Sequence, residues 1–117
     1  SDLAKTILGG TGVAWGIHVW TADTQTAESR KQWQDTLQAM AAHKPERVIP
    51  GHYLGNPPAG SGAIDFTRDY LQRFEKALAA HNDSAGVIRT LKKQYPNLAE
   101  ESSLELSAKV NTGEMKW

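Results

Sequence analysis

Between residues 12 and 53 the hydrophobic period of the chain changes twice, and this change constrains the fold more than any other feature. Gly12 to Trp15 is a short β-branched and aromatic run suited to a strand. Trp33, Leu37, Met40 and Ala41 then recur at helical spacing and form one apolar stripe. Arg47 to Ile49 returns to a strand-like run after a very short connection through His43, Lys44 and Pro45. Proline disfavours helical backbone at the residue before it, so the helix stops at Lys44. Strand, helix and strand in this order form a βαβ-like unit, a sheet with a helix packed on it.

The flanks extend this reading. Lys5 to Leu8 is a further strand candidate, joined to Gly12–Trp15 by a turn at Gly9-Gly10. Thr26 is a good N-cap for the helix, with Glu28 favourably placed in its first turn. Residues 54–62, LGNPPAGSG, carry too much proline and glycine for a helix or a central strand and are read as a loop. A second helix is expected over Ala63–Ala80, capped by Ser61, with Phe66, Tyr70, Phe74 and Leu78 every fourth residue and Leu71 broadening the stripe. HNDS (81–84) breaks it. A third helix spans Ala85–Gln94, with Val87, Ile88 and Leu91 on one side, and Tyr95-Pro96 ends it. The last spans Ser103–Asn111, with Leu104, Leu106 and Val110 apolar and Gly113 as its stop. The front is β-rich and the back helical, so the fold class is α/β.

With 117 residues the chain holds one small domain. Thirteen basic residues balance thirteen acidic ones, which argues against a nucleic-acid or anionic-membrane partner. No cysteine is present, which excludes disulfides and thiolate metal sites within these residues but leaves the compartment open. No apolar run approaches the roughly 20 residues that span a bilayer. A few strands cannot bury both faces of a sheet, so the chain reads as part of a larger domain. It is expected to self-associate through exposed apolar sheet faces, by pairing edge strands near Lys5 to Trp15.

Four histidines are the main carriers of possible chemistry. His52 follows Pro50-Gly51 at the end of a strand, where functional groups collect in open α/β sheets, and neutral imidazole is a common zinc ligand. The competing reading is a strand-end histidine bonded to a neighbouring carbonyl. In GIHVWTADT, His18 and Trp20 share one face of an extended segment, either at a pocket's edge or as a packed aromatic pair at the core rim. Asp23 is either a carboxylate ligand or part of the turn that leads into the helix. His43 and His81 sit at helix C-termini, where their role is structural. Asp65, Asp69 and Glu75 alternate with Arg68, Arg73 and Lys76, the pattern of a solvated helix face. No Gly-rich phosphate loop, G-x-S-x-G elbow or H-x-x-x-H pair is present.

Together, GIHVWTADT, the Trp33 helix, KPERVIPGHY, DFTRDYLQRFE and SLELSAKVNTGEMKW resemble the C-terminal half of a metallo-β-lactamase-superfamily hydrolase, over about residues 4–117. The resemblance implies half of an αββα sandwich, with a metal pair, usually zinc, at one sheet edge. His52 matches the last metal-binding histidine, which stands in a Gly-His corner. The family's H-x-H-x-D-H motif is absent here, and Gly9-Gly10 stands where the family has Gly-Asp; if Gly10 occupies that place the bridging carboxylate is missing, which leaves one metal or a site that uses Asp23 or His18 instead. In the intact protein the resemblance implies zinc or another divalent metal and hydrolysis of a small-molecule substrate by a metal-bound hydroxide. His18, Trp20 and Tyr53 are the expected pocket residues. The alternative is a non-catalytic scaffold or binding module that keeps the fold.

Overall fold

The computed structural model describes residues 6–56, 58 and 60–117, with backbone alone for 6–11. Its elements are β1 (Thr6–Trp15), α1 (Ala27–Ala42), β2 (Arg47–Tyr53), α2 (Gly62–Ala80), α3 (Ser84–Gln94) and α4 (Glu101–Asn111). Among the described residues, β1 and β2 form a two-stranded parallel sheet with α1 as the crossover, and the chain is α/β. No described helix is long and apolar enough to cross a membrane.

The expected turn at Gly9-Gly10 does not form. Thr6 to Trp15 is one continuous strand, and both ends pair with β2 in the same direction, Thr6 opposite Arg47 and Trp15 opposite Tyr53. A hairpin at the glycines would have reversed the second half. Instead the strand takes up its extra residues as an irregularity: Gly10 pairs with Pro50 and Ala14 with His52, four steps against two. Pro50, with no N–H to give the ladder, sits beside this break, where a strand proline is tolerated. The expected Gly51-His52 corner is likewise absorbed, since β2 runs on to Tyr53. Lys5, the first residue of the expected strand, lies outside the described residues.

Helix ends follow local chemistry. Thr26 Oγ1 accepts from Ser29 N at 3.0 Å, and Ser29 Oγ accepts from Thr26 N at 3.3 Å, a reciprocal cap. Asp83, inside the HNDS break, caps α3 by accepting from Gly86 N at 3.0 Å. Ser61 precedes α2 but makes no side-chain cap bond, its hydroxyl donating to Asp65 instead. The last helix begins at Glu101, earlier than its apolar pattern starts, because Glu100 in the left-handed region (φ 65°) turns the chain into it.

The helix α2 divides the core. Tyr70, Phe74 and Ala77 pack with Ala14, Ile17, Val19, Val87, Leu91, Leu104 and Ala108, whereas Ala63, Ile64 and Leu71 pack with Val13, Leu37 and Val48. Val13 and Ala14, adjacent on a strand, point to opposite faces and so join different clusters. Trp33 packs against both. The α2 stripe read from sequence holds, with Phe66 and Leu78 partly buried at its margin.

The outer edge of β1, away from β2, is closed by side chains at two points. Trp33 Nε1 donates to Gly12 O at 2.8 Å. Thr67 Oγ1 accepts from Ala14 N at 2.9 Å, and its hydroxyl hydrogen lies within reach of Ala14 O (3.1 Å) and Ala63 O (2.9 Å). The Thr67 bonds are buried, so one left unmade there carries the full desolvation cost.

Glu75 departs from the solvated face expected of it. Buried Arg30 of α1 pairs with Glu75, donates to Thr24 O at 2.7 Å, bonds the Asn111 side chain and lies over the Phe74 ring at 5.9 Å. One guanidinium thereby joins α1, α2 and α4, which spacing along α2 alone does not reveal. Asp69 and Arg73 form an i,i+4 pair at 2.9 Å.

Thr67→Val keeps the shape and removes the hydroxyl, leaving the Ala14 N–H buried without its partner. The expected loss is about 1–3 kcal/mol in urea unfolding, with Thr67→Ser recovering most of it. Equal stability of the valine variant and the parent would show that the edge is satisfied some other way.

Candidate functional site

The end of β1 positions the site. Gly16 has φ 73°, and a Cβ there would stand 2.5 Å from Leu54 O, so only glycine lets the two strand ends come this close. Past Gly16 the chain stays extended and pairs with the segment before α4: Ala99 N donates to Gly16 O at 3.1 Å and His18 N to Ala99 O at 2.8 Å. This bridge places Glu100 beside His52, with Glu100 Oε1 3.5 Å from His52 Nε2.

At this end lies a cleft of about 410 Å³, within the range of small-molecule pockets. Ala14, Ile17 and Val19 are its most buried lining, and Trp20 and Trp33 contribute half-buried indole rings. Its polar side chains are Asp23, Thr24, Ser103 and His52. The sites read from sequence therefore separate: Trp20 and His52 line the cleft, whereas His18 and Tyr53 stand outside that lining.

His18 is 1% exposed, and its Nδ1 lies 3.1 Å from Tyr70 Oη. The two rings meet edge to face at 5.8 Å. A neutral imidazole carrying its proton on Nε2 accepts from the phenol at Nδ1. Tyr70 stacks on Tyr95 at 5.2 Å, and the Tyr95 hydroxyl donates to Asp69. Burial drives both phenols well above the ordinary tyrosine range, so this relay of rings carries no charge near neutrality. Burial also lowers the His18 pKa, opposed by Glu101 and assisted by Lys92. The packed-aromatic reading of His18 thus describes its surroundings, with Tyr70 rather than Trp20 as the partner.

His52 is different. Its side chain is 54% exposed, with Glu100 as its charged neighbour. Asp23 is held as an acceptor, receiving Trp20 Nε1 on Oδ2 at 2.9 Å and Trp117 Nε1 on Oδ1 at 2.8 Å. The rings of Trp20 and Trp117 meet edge to face at 5.2 Å, which brings the C-terminal tail against the cleft. Glu114 secures the same tail: its Oε2 accepts from Ser84 N at 2.6 Å and Thr112 Oγ1 at 2.8 Å, and these bonds hold its carboxyl below the usual range. The Asp23 and Trp117 contacts link positions 94 residues apart, so no local pattern announces them.

For a metal, His52 offers one imidazole and Glu100 one nearby carboxylate. A catalytic zinc takes three protein ligands. Among the described residues no group of three histidine or acidic side chains is arranged to hold an ion. These residues fit one ligand position, not a complete centre.

The lowered His18 pKa has a definite sign. Below the ordinary imidazole pKa of about 6.5 the unfolded chain takes up a proton that the folded chain resists, so stability is complete above that value and falls as pH drops. Urea midpoints for the parent are expected to decline from pH 7 to pH 5. His18→Asn, whose amide oxygen can still accept from Tyr70, is expected to flatten that decline, and an unchanged slope would remove His18 as its source. No family model, curated protein or solved structure matches the chain, so its function rests on these residues.

Proposed function

We propose that the chain is the C-terminal half of an αββα sandwich of the metallo-β-lactamase type, and that in the intact protein it contributes His52 and one side of a substrate cleft to a metal-dependent hydrolase. The observation that carries this reading is the place of His52. It stands near the C-terminal end of a parallel strand, half exposed, on the lining of a cleft of about 410 Å³. Strand ends of this kind are where α/β folds assemble their sites. Zinc or another divalent cation would supply Lewis acidity and a nucleophilic hydroxide there. His52 would hold it through one ring nitrogen, and Trp20 would bound the substrate side. Three protein ligands are needed and these residues offer one, so the remaining ligands belong to the other half of the proposed sandwich.

A second reading is a binding module with this fold and no metal. The Glu100 carboxylate beside His52 favours it, because a carboxylate can hold an imidazole in place without any ion. Metal content separates the two. Full-length protein is expected to retain zinc or iron after gel filtration, and His52→Ala to lose most of it. Near-zero metal in both proteins would remove the hydrolase reading and leave the binding module.

Self-association belongs to the same proposal. Since Gly12 O and Ala14 are engaged by Trp33 and Thr67, β2 offers the more open edge, with Ile49, Tyr53 and Leu54 exposed on or next to it. Sedimentation is expected to show a dimer or higher oligomer of this chain. Ile49→Lys should shift it towards monomer, and a parent that sediments as a clean monomer would contradict the expectation.

A further inference from the structure

We infer that the cleft binds a small organic cation with an apolar body, its charge towards Asp23 and its hydrocarbon against Val19, Trp20 and Trp33. This names a ligand class for the cleft of the preceding proposal and rests on that cleft as a binding site, not on a metal at His52.

Hydrogen-bonding capacity in the cleft decides the sign of the ligand. Four of the side-chain donors on its lining are already engaged within the protein, and the remaining one, the His52 imidazole, faces the Glu100 carboxylate at 3.5 Å. Trp20 Nε1 donates to Asp23, Trp33 Nε1 to Gly12 O, Thr24 Oγ1 to Thr21 O at 3.2 Å and Ser103 Oγ to Glu100 at 3.2 Å. An anionic group entering here finds no free side-chain donor among them, and it meets the Asp23 carboxylate. A cation meets the opposite situation. Asp23 is exposed, its partners are two neutral indoles, and no lysine or arginine among the described residues forms an ion pair with it. Each of its oxygens accepts one bond and keeps capacity for another.

The aromatic rings add to this preference. Indole faces attract cations, most strongly where water is partly excluded. Trp20 and Trp33 are each tethered through their N–H, so the rings are held before a ligand arrives and little freedom is lost on binding. The buried Ala14, Ile17 and Val19 surface offers nothing polar beyond them, which suits a hydrocarbon body.

Three probes of one chain length and different head charge test the inference: hexyltrimethylammonium, hexanol and hexanoate. They are titrated calorimetrically in EDTA, so that no metal at His52 contributes and failure here leaves the metal reading untouched. The expected order of affinity is cation, then alcohol, then carboxylate, with the indole N–H resonances of Trp20 and Trp33 moving on titration. Asp23→Asn is expected to weaken hexyltrimethylammonium about tenfold and leave hexanol unchanged. Trp117→Phe, which loses the indole bond but keeps the Asp23 charge, should retain the cation preference. Equal affinities for the three probes, resonance shifts confined to residues away from the cleft, or a preference that survives Asp23→Asn would overturn the inference.

Discussion

One hydroxyl, Thr67 Oγ1, sets the relation between helix and sheet on which the rest of the fold depends. By meeting both the N–H and the C=O of Ala14, it lets α2 stand where a third strand would otherwise pair. The helix then reaches both faces of β1: its Ala63, Ile64 and Leu71 side goes with Val13, and its Tyr70 and Phe74 side with Ala14. Trp33 makes the corresponding contact from α1 at Gly12 O. A two-stranded sheet is too small to be stable alone, and here helical side chains supply the bonds that more strands would have supplied.

The second tie is electrostatic and holds the far ends together. Arg30 is buried, and a buried guanidinium is tolerable only when paired and hydrogen-bonded. Glu75, Thr24 O and Asn111 meet that need from three parts of the chain, and Asn111 Nδ2 in turn donates to Thr21 O at 3.1 Å. Residues 20–24 are therefore anchored from two sides. That anchoring gives Trp20 and Asp23 a definite place on the cleft, so a stability device also shapes the candidate site.

What the sequence makes legible follows from the range of each interaction. Helical stripes and the Thr26 cap are written within a few residues and appear as expected, whereas Ser61 makes no side-chain cap bond. The continuity of β1 through Gly9-Gly10 is not local, because glycine pairs suit a turn or an irregular strand equally well and β2 decides between them. Glu75 looked solvated because its neighbours on α2 are charged, while its partner lies 45 residues away. For the site, His52 at a strand end is legible from position, whereas position leaves Trp20 open between a pocket edge and a packed aromatic pair. The burial of His18 against Tyr70 and the hold on Asp23 depend on contacts across 52 and 94 residues. Alternation along GIHVW gives the face shared by His18 and Trp20, but not which of them the core will take.

This division bears on how the two halves of the candidate site relate. His18 is neutral, buried and bonded, so it adds rigidity and no charge. His52 is exposed and has one carboxylate beside it, so any ion it holds must find further ligands elsewhere. The side of the cleft that this chain supplies carries its own apolar wall and its own carboxylate, both already tethered. In the proposed reading, binding and metal chemistry are therefore separable. Without any metal, this chain would still present an apolar cleft with a carboxylate at its rim.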